Sequence, residues 1–312
     1  MQVMTKTRRP ASPPSDVGPG EEVLSVQNLK VGFSTGRGRT QALRGVDLTL
    51  RTGQILGVAG ESGSGKTTAA LAAMGLLARG AEVGGSIRYR GTDLLALPEK
   101  GLRQYRGRHL AMIFQETASA LNPVIRVGDQ LMMAAKAHSV DGQTSVRERV
   151  AAALADVRLH DADRVMASYP HELSGGMCQR VIIAMALSCG SQVLFADEPT
   201  TALDVSVQQE ILELIRGLVD RRGLAVMLIS HDLAVLSEVC DGLVVMYRGR
   251  VVETGPARAV LQAPGHPYTQ ALLDCIPTMH GSHEDLREIT PEQRLVIEAA
   301  GDEPVHHTGG VR

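Results

Sequence analysis

Hydrophobic and polar positions follow two different periods along this chain. Residues 23–58 alternate apolar with polar side chains, which predicts β structure. The runs "VLFA" and "LAVMLI" are continuously apolar, as in strands that are buried on both faces of a parallel sheet. Between those runs, apolar residues from Val207 to Leu218 keep helical spacing. This alternation of strand and helix predicts an α/β core.

Further helices and one hairpin follow from the same periods. Thr68–Leu77 is rich in Ala and Leu and is predicted to be helical. Amphipathic spacing predicts helices over Val127–His138 and Ser145–Val157, which together form a helical insert between strands. A hairpin is predicted to turn at Arg248-Gly249, and another helix is predicted over Ala257–Leu273.

The two ends of the chain lack these periods. Residues 1–20 are rich in Pro and Gly, which predicts a disordered N-terminal tail. Residues beyond His280 are polar and weakly patterned, and the adjacent His306 and His307 are typical of solvated side chains. No apolar run is long enough to cross a bilayer, so a role at a membrane would need another chain to span it.

Composition excludes several functional classes. The chain is 44% hydrophobic and 21% charged, as is usual for a soluble globular protein. A net charge of −2 and an aromatic content of 3% favour neither electrostatic nor stacking contacts with nucleic acid. The four cysteines are scattered without a CxxC pair, which argues against a zinc site or a disulfide framework and favours a reduced, cytoplasmic protein.

The stretch "GESGSGKT" is a candidate phosphate-binding loop. It matches G-x-x-x-x-G-K-[ST], with an apolar strand before it and a helix after it. Glycines let backbone N–H groups wrap a phosphate, Lys66 supplies a cation, and the Thr67 hydroxyl can bind Mg²⁺. A chance Gly-rich turn would not have this context. The predicted ATP-binding residues here are Gly60, Glu61, Ser62, Gly63, Ser64, Gly65, Lys66, Thr67 and Thr68.

Two acidic residues end a buried strand further along the chain. Asp197 and Glu198 follow "VLFA", at the carboxyl edge where open α/β sheets bind ligands. We expect Asp197 to hold Mg²⁺ through water and Glu198 to orient or deprotonate the attacking water. An acidic cap before Pro199 is the structural alternative, which the phosphate loop disfavours. His231 and Gln115 also end predicted strands, where such residues are more often structural.

A second glycine-rich turn, "LSGGM", opens another helix. Ser174, Gly175 and Gly176 precede an apolar helical stretch, and the unpaired N–H groups at such a helix start form an anion site. One chain therefore carries two candidate phosphate loops.

These motifs, in this order, resemble those of the ATP-binding subunit of an ABC transporter. The resemblance covers residues 23 to about 278 and implies a P-loop NTPase ABC cassette, with a RecA-like α/β core, an N-terminal antiparallel β-subdomain and a helical subdomain insert. The matching motifs are the Walker A (Gly60–Thr67), the Q-loop (Gln115), the signature (Leu173–Met177), the Walker B (Val193–Asp197) with Glu198, the D-loop (Thr201–Asp204) and the H-loop (His231).

The resemblance also explains the second loop. In that family two cassettes pair head to tail, and each ATP lies between the Walker A of one and the signature of the other. Ser174, Gly175 and Gly176 would then contact the γ-phosphate of the partner's ATP in trans, and Asp204 would lie at the dimer interface. Phe33 would stack on the adenine, with an ordinary core aromatic as the alternative.

By the same resemblance, Glu198, His231 and Gln115 are the predicted catalytic residues. His231 would contact the γ-phosphate, and Gln115 would couple Mg²⁺ and the γ-phosphate to the helical insert. Thr67, Gln115 and Asp197 are the predicted Mg²⁺ ligands, so ATP and Mg²⁺ are the predicted cofactors.

Three stretches point to one branch of this family, the importers of oligopeptides and dipeptides, which also includes nickel importers. They are "LNPVIRVGDQL", "DEPTTALDVSVQQEIL" and "GHPYTQALLDCIP". Met177 replaces the usual Gln of the signature and is familiar in this branch. Some members bind an iron–sulfur cluster through a C-terminal cysteine-rich segment. Only Cys275 lies in the tail here, so no cluster is predicted.

The branch implies domain boundaries and partners. The expected boundaries are a tail at 1–20, a cassette at 21–278 with its helical subdomain at about 116–175, and an importer-type extension with a polar tail at 265–312. The expected partners are two transmembrane permease subunits, a second ATP-binding subunit, identical or different, and an extracytoplasmic solute-binding protein. The chain would lie peripherally on the cytoplasmic face of the cell (inner) membrane.

Two other functions remain open from the sequence. One is a soluble ABC ATPase that acts on the ribosome or nucleic acid, for which the basic cluster at Arg103, Arg106 and Arg108 could be offered. A surface charge cluster is usually just solvated, and no nucleic-acid partner is predicted. The other is an exporter subunit, because an ATPase alone does not reveal the direction of transport.

Overall fold

The structure is a computed structural model. It describes residues 20–35, 38–115, 120–138, 145–201, 203–275, 289–301 and 303–307. The predicted disordered tail therefore lies outside the described residues, apart from Gly20.

Eleven strands form two sheets in this part of the chain. The strands are β1 (Glu22–Thr35), β2 (Gly38–Arg51), β3 (Ile55–Ala59), β4 (Ala81–Tyr89), β5 (Thr92–Asp93), β6 (Leu110–Ile113), β7 (Val193–Asp197), β8 (Ala225–Ile229), β9 (Gly242–Tyr247), β10 (Arg250–Pro256) and β11 (Val305–His306). An antiparallel sheet has the order β2–β1–β4–β5, and a seven-stranded sheet has the order β11–β10–β9–β3–β8–β7–β6. In the larger sheet, β9, β3, β8, β7 and β6 run parallel, and β10 runs antiparallel to β9.

Eleven helices accompany these sheets in the described ranges. They are α1 (Lys66–Met74), α2 (Glu99–Tyr105), α3 (Val127–Ala137), α4 (Val146–Asp156), α5 (Ala162–Ala167), α6 (Gly175–Cys189), α7 (Val205–Arg222), α8 (Leu233–Val239), α9 (Ala257–Gln262), α10 (Pro267–Asp274) and α11 (Pro291–Ala300). A 3₁₀ turn at Pro170–Glu172 precedes α6.

The continuous apolar runs form strands that are buried on both faces, as predicted. In β8, Val226 and Leu228 enter a first core with α3, α4, α6, α7 and α8. Met227 and Ile229, on the other face, enter a second core with α1 and the antiparallel sheet. Because side chains alternate between faces, each central strand needs apolar residues at every position. The predicted α/β core and antiparallel β-subdomain are confirmed.

The helical insert lies between β6 and β7. Helices α3, α4 and α5 pack on one another, and α3 and α4 also pack on α6. Helix α4 begins with a capping box in which Glu148 N donates to Ser145 Oγ at 3.1 Å and Ser145 N donates to Glu148 Oε2 at 3.0 Å. The predicted hairpin between β9 and β10 is also confirmed, since Arg248 and Gly249 have φ of 45° and 82°, as a tight two-residue turn requires.

The prediction of one helix over Ala257–Leu273 is wrong. Helix α9 ends at Gln262, and α10 begins at Pro267. Proline has no backbone N–H and fits only the first turn of a helix, so it starts a new helix here. The Nδ1 atom of His266 caps that helix by accepting from Tyr268 N at 3.1 Å.

The C-terminal residues form more structure than their weak apolar pattern predicted. Helix α11 begins with a capping box between Thr290 and Gln293, a T-x-x-Q signal that the sequence carries and that periodicity overlooks. Ile297 of this helix is buried in the first core. Strand β11 pairs in parallel with β10 and leaves His306 exposed, as predicted.

The prediction of a solvated His307 is wrong. Its Nε2 atom lies 2.6 Å from Oε1 of Glu253, a carboxylate that is completely buried. The backbone N–H groups of Gly265 and His266 also donate to this carboxylate, at 2.7 and 3.1 Å. Burial acts to raise the pKa of Glu253, but the nearby Thr269 side chain and these hydrogen bonds outweigh burial and lower it. Glu253 thus ties β10, the α9–α10 connection and β11 together.

A polar contact also joins the antiparallel sheet to the seven-stranded sheet. The hydroxyl of Tyr89, at the end of β4, donates to Gln192 Oε1 at 2.6 Å, just before β7. His109 lies against the Tyr89 ring, with centroids 5.3 Å apart. Burial, with Arg108 and Arg90 nearby, lowers the pKa of His109 to about 4. His109 is therefore neutral in the folded protein at neutral pH.

We expect mild acid to weaken the contact between the two sheets at Tyr89, Gln192 and His109. The pKa of His109 rises from about 4 to an ordinary value near 6.5 on unfolding. The stability that neutral His109 contributes is complete above pH 6.5 and is lost as the pH falls towards 4, because the unfolded chain then binds more protons. Denaturant unfolding at several pH values, compared with His109→Gln, measures this loss. An equally steep acid dependence in the variant would assign the loss to other groups.

Candidate functional site

The phosphate loop connects β3 to α1. Gly60 and Gly65 have φ of 146° and 104°, a region that side-chain-bearing residues rarely adopt. A Cβ atom on Gly60 would lie 2.2 Å from the carbonyl oxygen of Met246 in β9. Helix α1 begins directly after Gly65 without a side-chain cap, so its first N–H groups remain available to an anion.

Lys66 is the buried cation of this loop. Its side chain is 6% exposed, and Nζ donates to the carbonyl oxygens of Gly60 at 2.6 Å and Glu61 at 2.9 Å. Burial lowers the pKa of Lys66, and the nearby carboxylates of Glu198 and Asp197 partly oppose that effect. The ammonium thus lies between loop carbonyls and an acidic strand end.

Asp197 ends β7 beside this ammonium. The carboxylate is buried, and the nearby Thr67 side chain acts to lower its pKa. Burial raises the pKa of Asp197, although Thr67 and Lys66 act in the opposite direction. A hydroxyl beside one buried carboxylate suits Mg²⁺, which proteins bind through one or two carboxylates, water and substrate phosphates. This donor set therefore fits the metal that the sequence predicted.

Glu198 is the centre of a small hydrogen-bonded group. Its backbone φ of 48° is unusual for a residue with a side chain. Gln115 Nε2 and Thr201 Oγ1 donate to Oε2 at 2.9 and 3.0 Å, and His231 Nδ1 lies 2.8 Å from Oε1. Burial acts to raise the pKa of Glu198, but the hydrogen bonds from His231 and Thr201 outweigh it and lower the pKa. Glu198 is therefore ionised at neutral pH and can accept a proton from water.

Glu198, Gln115 and His231 line an open cleft of about 790 Å³. C-terminal residues for which the sequence predicted no role at the site line it as well. The lining residues are Glu61, Ser62, Gln115, Glu198, His231, Leu272, Cys275, Ile289 and Arg294.

Several predicted site residues lie apart from this cleft. Phe33 is half-buried in β1 and packs against the second core. Ser174 and Gly175 are exposed at the start of α6, where Ser174 Oγ caps the helix by accepting from Met177 N at 3.3 Å. Gly176 begins the same helix, and Asp204 is exposed at the start of α7. Among the described residues, no hydrogen bond or ion pair joins Ser174, Gly175 or Gly176 to the phosphate loop.

Sequence reasoning missed three residues that touch the site. Thr201 lies in the D-loop stretch, and only its contact with Glu198 marks it. Tyr268 accepts a hydrogen bond from Glu61 N at 2.8 Å, and Arg294 lies 3.3 Å from the Glu61 carboxylate. The stretch "GHPYT" was a signal for Tyr268, although it also fits a turn before a helix. No pattern in the sequence marked Arg294.

Two regions of the chain match known protein families. The ABC transporter family profile matches residues 43–201, and the profile of the oligopeptide/dipeptide transporter C-terminal region matches residues 252–302. The oligopeptide transport ATP-binding protein OppD of Salmonella typhimurium is 43% identical over 271 residues, covering 87% of this chain and 81% of that protein. The probable D,D-dipeptide transport ATP-binding protein DdpD of Escherichia coli is 45% identical over 273 residues, covering 87% and 83%.

Solved structures share the fold. The ATP-binding cassette MJ0796 in a dimeric post-hydrolysis state with ADP and Pi matches with a TM-score of 0.66 and 25% identity, over 75% of this chain and 99% of that chain. CbiO1 of Clostridium perfringens, part of the ABC transporter complex cbiONQ, matches with a TM-score of 0.64 and 25% identity, over 78% and 96%. Across the described ranges, no helix of this chain is both long and apolar enough to cross a membrane.

Two glycines of the loop give a matched test of its geometry. We expect Gly60→Ala to lower the free energy of unfolding by about 3 kcal/mol, because the new Cβ atom would clash with the backbone of Met246, which sheet pairing holds in place. Gly63→Ala meets nothing within 4 Å and carries only the strain of its positive φ, about 1 kcal/mol. Denaturant unfolding of both variants checks this, and equal losses would contradict the predicted close approach to β9.

Proposed function

This chain belongs to the ABC transporter family, and we propose that it binds and hydrolyses ATP to energise the import of peptides or a related small solute. The hydrogen-bonded Glu198, ionised beside a buried phosphate-loop lysine, carries this proposal. General bases of this kind accept a proton from an attacking water that the site holds in place. The C-terminal family match and the similar transport proteins support the solute class, which the geometry alone does not supply.

The loop from Gly60 to Thr67, followed by Thr68, would bind the ATP phosphates. Backbone N–H groups at the start of α1 face an anion, and the helix dipole favours it. Lys66 would exchange the carbonyls of Gly60 and Glu61 for phosphate oxygens, a stronger partner for a buried ammonium. Phe33 would stack on the adenine.

Mg²⁺ would be held by Thr67, Asp197 and Gln115. When bound, the ion neutralises charge on the phosphate oxygens. The buried Asp197 supports this role because its pKa is raised by burial, and a nearby cation would reverse that effect. Gln115 can offer its amide oxygen while its Nε2 holds Glu198.

Glu198 would take the proton of the attacking water, and its neighbours would hold the carboxylate in place. The carboxylate only accepts hydrogen bonds, so Nδ1 carries the proton in the His231 contact. That contact points one Glu198 oxygen at His231, which would contact the γ-phosphate. Thr201 and Gln115 hold the other oxygen, which links the base to the D-loop and to the helical insert.

The complete site would need two cassettes. Ser174, Gly175 and Gly176 lie outside the cleft of their own chain, and the first two are exposed. These facts support a contact in trans with the γ-phosphate of a partner's ATP, with Asp204 at the interface. ATP would then hold the two subunits together, and hydrolysis would release them.

The similar transport proteins support the proposed partners. OppD and DdpD are named as transport ATP-binding proteins for oligopeptides and for D,D-dipeptides. We propose that this chain lies on the cytoplasmic face of the inner membrane, with two permeases, a second ATP-binding subunit and an extracytoplasmic solute-binding protein. Peptide transport is favoured over action on the ribosome or nucleic acid because both the C-terminal match and the relatives are of the transport type.

The variant Glu198→Gln tests the chemistry. It keeps the shape and one acceptor of the side chain, so ATP binding should persist, whereas hydrolysis should fall about 10²- to 10⁴-fold. The variant should therefore accumulate an ATP-bound cassette dimer, measured by light scattering after size exclusion with and without the second ATPase.

Lys66→Ala is the control, because it should lose ATP binding and dimerisation together. A Glu198→Gln chain that stays monomeric with ATP, even with the second ATPase present, would contradict the two-subunit mechanism.

The transport assignment has its own test. A tagged chain should recover two multi-span permeases from detergent-solubilised native membranes, with or without a second ATPase and a solute-binding protein, identified by mass spectrometry. Recovery of ribosomes, nucleic acid or soluble proteins alone would contradict the transport proposal, but it would not contradict the proposed ATP site.

A further inference from the structure

The second residue of the phosphate loop is held from three directions. Glu61 N donates to the Tyr268 hydroxyl at 2.8 Å, and Glu61 O accepts from Lys66 Nζ at 2.9 Å. The Glu61 carboxylate lies 3.3 Å from Arg294. Two of these three partners lie in α10 and α11, which together are called the C-terminal segment below. The third partner is the lysine that would bind phosphate.

Tyr268 is the more firmly held of the two C-terminal partners. It is completely buried, and its ring lies 4.4 Å from that of Tyr247, centroid to centroid, at the end of β9. Its phenol cannot swing away, because Tyr247 and the first core surround it. Arg294 and Glu61 are each about half exposed, so their pairing contributes little in water. The hydroxyl of Tyr268 is therefore the main constraint on Glu61 from this side.

The position of Glu61 bears directly on Lys66. The ammonium of Lys66 is oriented by the carbonyl groups of Gly60 and Glu61. Tyr268 accepts a hydrogen bond from the backbone N–H of Glu61, so it holds the residue whose carbonyl group helps to orient the lysine. If that N–H lost its acceptor, Glu61 would be free to rotate, and Lys66 would sample more positions. A loop that must be ordered on binding holds its ligand less tightly than one already in place.

We propose that Tyr268 is a positioning residue for the phosphate loop, through which the C-terminal segment sets the affinity of the site for nucleotide. This rests on the proposed binding of ATP at that loop. It adds a function for the C-terminal segment in the ATPase cycle, because any partner that shifts α10 would change how tightly nucleotide is held.

Two tyrosine variants test this proposal in the full-length chain. Tyr268→Phe keeps the ring and removes the acceptor of Glu61 N–H. Tyr247→Phe is the matched control: it changes the same ring pair, but the buried Tyr247 hydroxyl has no hydrogen-bond partner among the described residues. Calorimetric titration with Mg·ADP, which avoids turnover, gives Kd for each chain, and thermal unfolding without nucleotide gives Tm.

We expect Tyr268→Phe to raise Kd for ADP about 3- to 10-fold, as the loss of one hydrogen bond of ordinary net strength implies. Tyr247→Phe should leave Kd within about twofold of wild type, whatever its effect on Tm. In the assembled transporter, KM for ATP should rise more than kcat falls. An unchanged Kd in Tyr268→Phe, or an equal rise in both variants, would overturn the proposal.

Hydrogen exchange gives a second readout, which needs no variant to fold. The Glu61 amide should exchange slowly in the wild-type chain, because a buried hydroxyl accepts its proton. Fast exchange at this amide would overturn the proposal even if Tyr268→Phe failed to fold. A wild-type chain that binds no ADP would instead contradict the proposed function, and normal ADP binding with an unaffected Tyr268→Phe would contradict only this inference.

Discussion

The buried ammonium of Lys66 is the constraint on which the site depends. A charge that is 6% exposed costs several kcal/mol unless partners compensate it. Its compensation comes from loop carbonyls at Gly60 and Glu61 and from carboxylates at the end of β7. The loop and the acidic strand end are therefore coupled before any ligand arrives. These partners orient the lysine without a ligand, and a bound phosphate would add a further anion to the arrangement.

The larger sheet brings these partners together. Strands β3, β8 and β7 are parallel neighbours, so the residues that follow them meet at one edge. The phosphate loop follows β3, Asp197 and Glu198 end or follow β7, and His231 follows β8. This arrangement holds only while both faces of each strand stay covered. The two cores are thus a requirement of the chemistry as well as of stability.

Much of this could be predicted from sequence, because the loop, the acidic pair and the strands are local patterns. Each of Gln115, Glu198 and His231 was predicted separately, but their hydrogen bonds depend on a tertiary arrangement that no spacing encodes. The contact between Glu61 and Tyr268 spans 207 positions, so it was invisible to pattern reasoning. Helix α11 was missed because its polar surface hides its apolar period, although its Thr290 cap was readable. In the proposed two-chain site, the signature residues Ser174 and Gly175 are exposed in the single chain.

The C-terminal residues that line the cleft are held in place by the carboxylate of Glu253, which lies outside the cleft. Glu253 is completely buried, and it accepts backbone N–H groups from the start of α10 and a contact from His307 beyond β11. Its strand, β10, pairs with β9, which pairs with β3 directly before the phosphate loop. The position of Tyr268 relative to Glu61 is thus set along a chain of paired strands and one satisfied buried anion. Because unsatisfied buried carboxylates are costly, the contacts of Glu253 hold the start of α10 and the residue after β11 against β10.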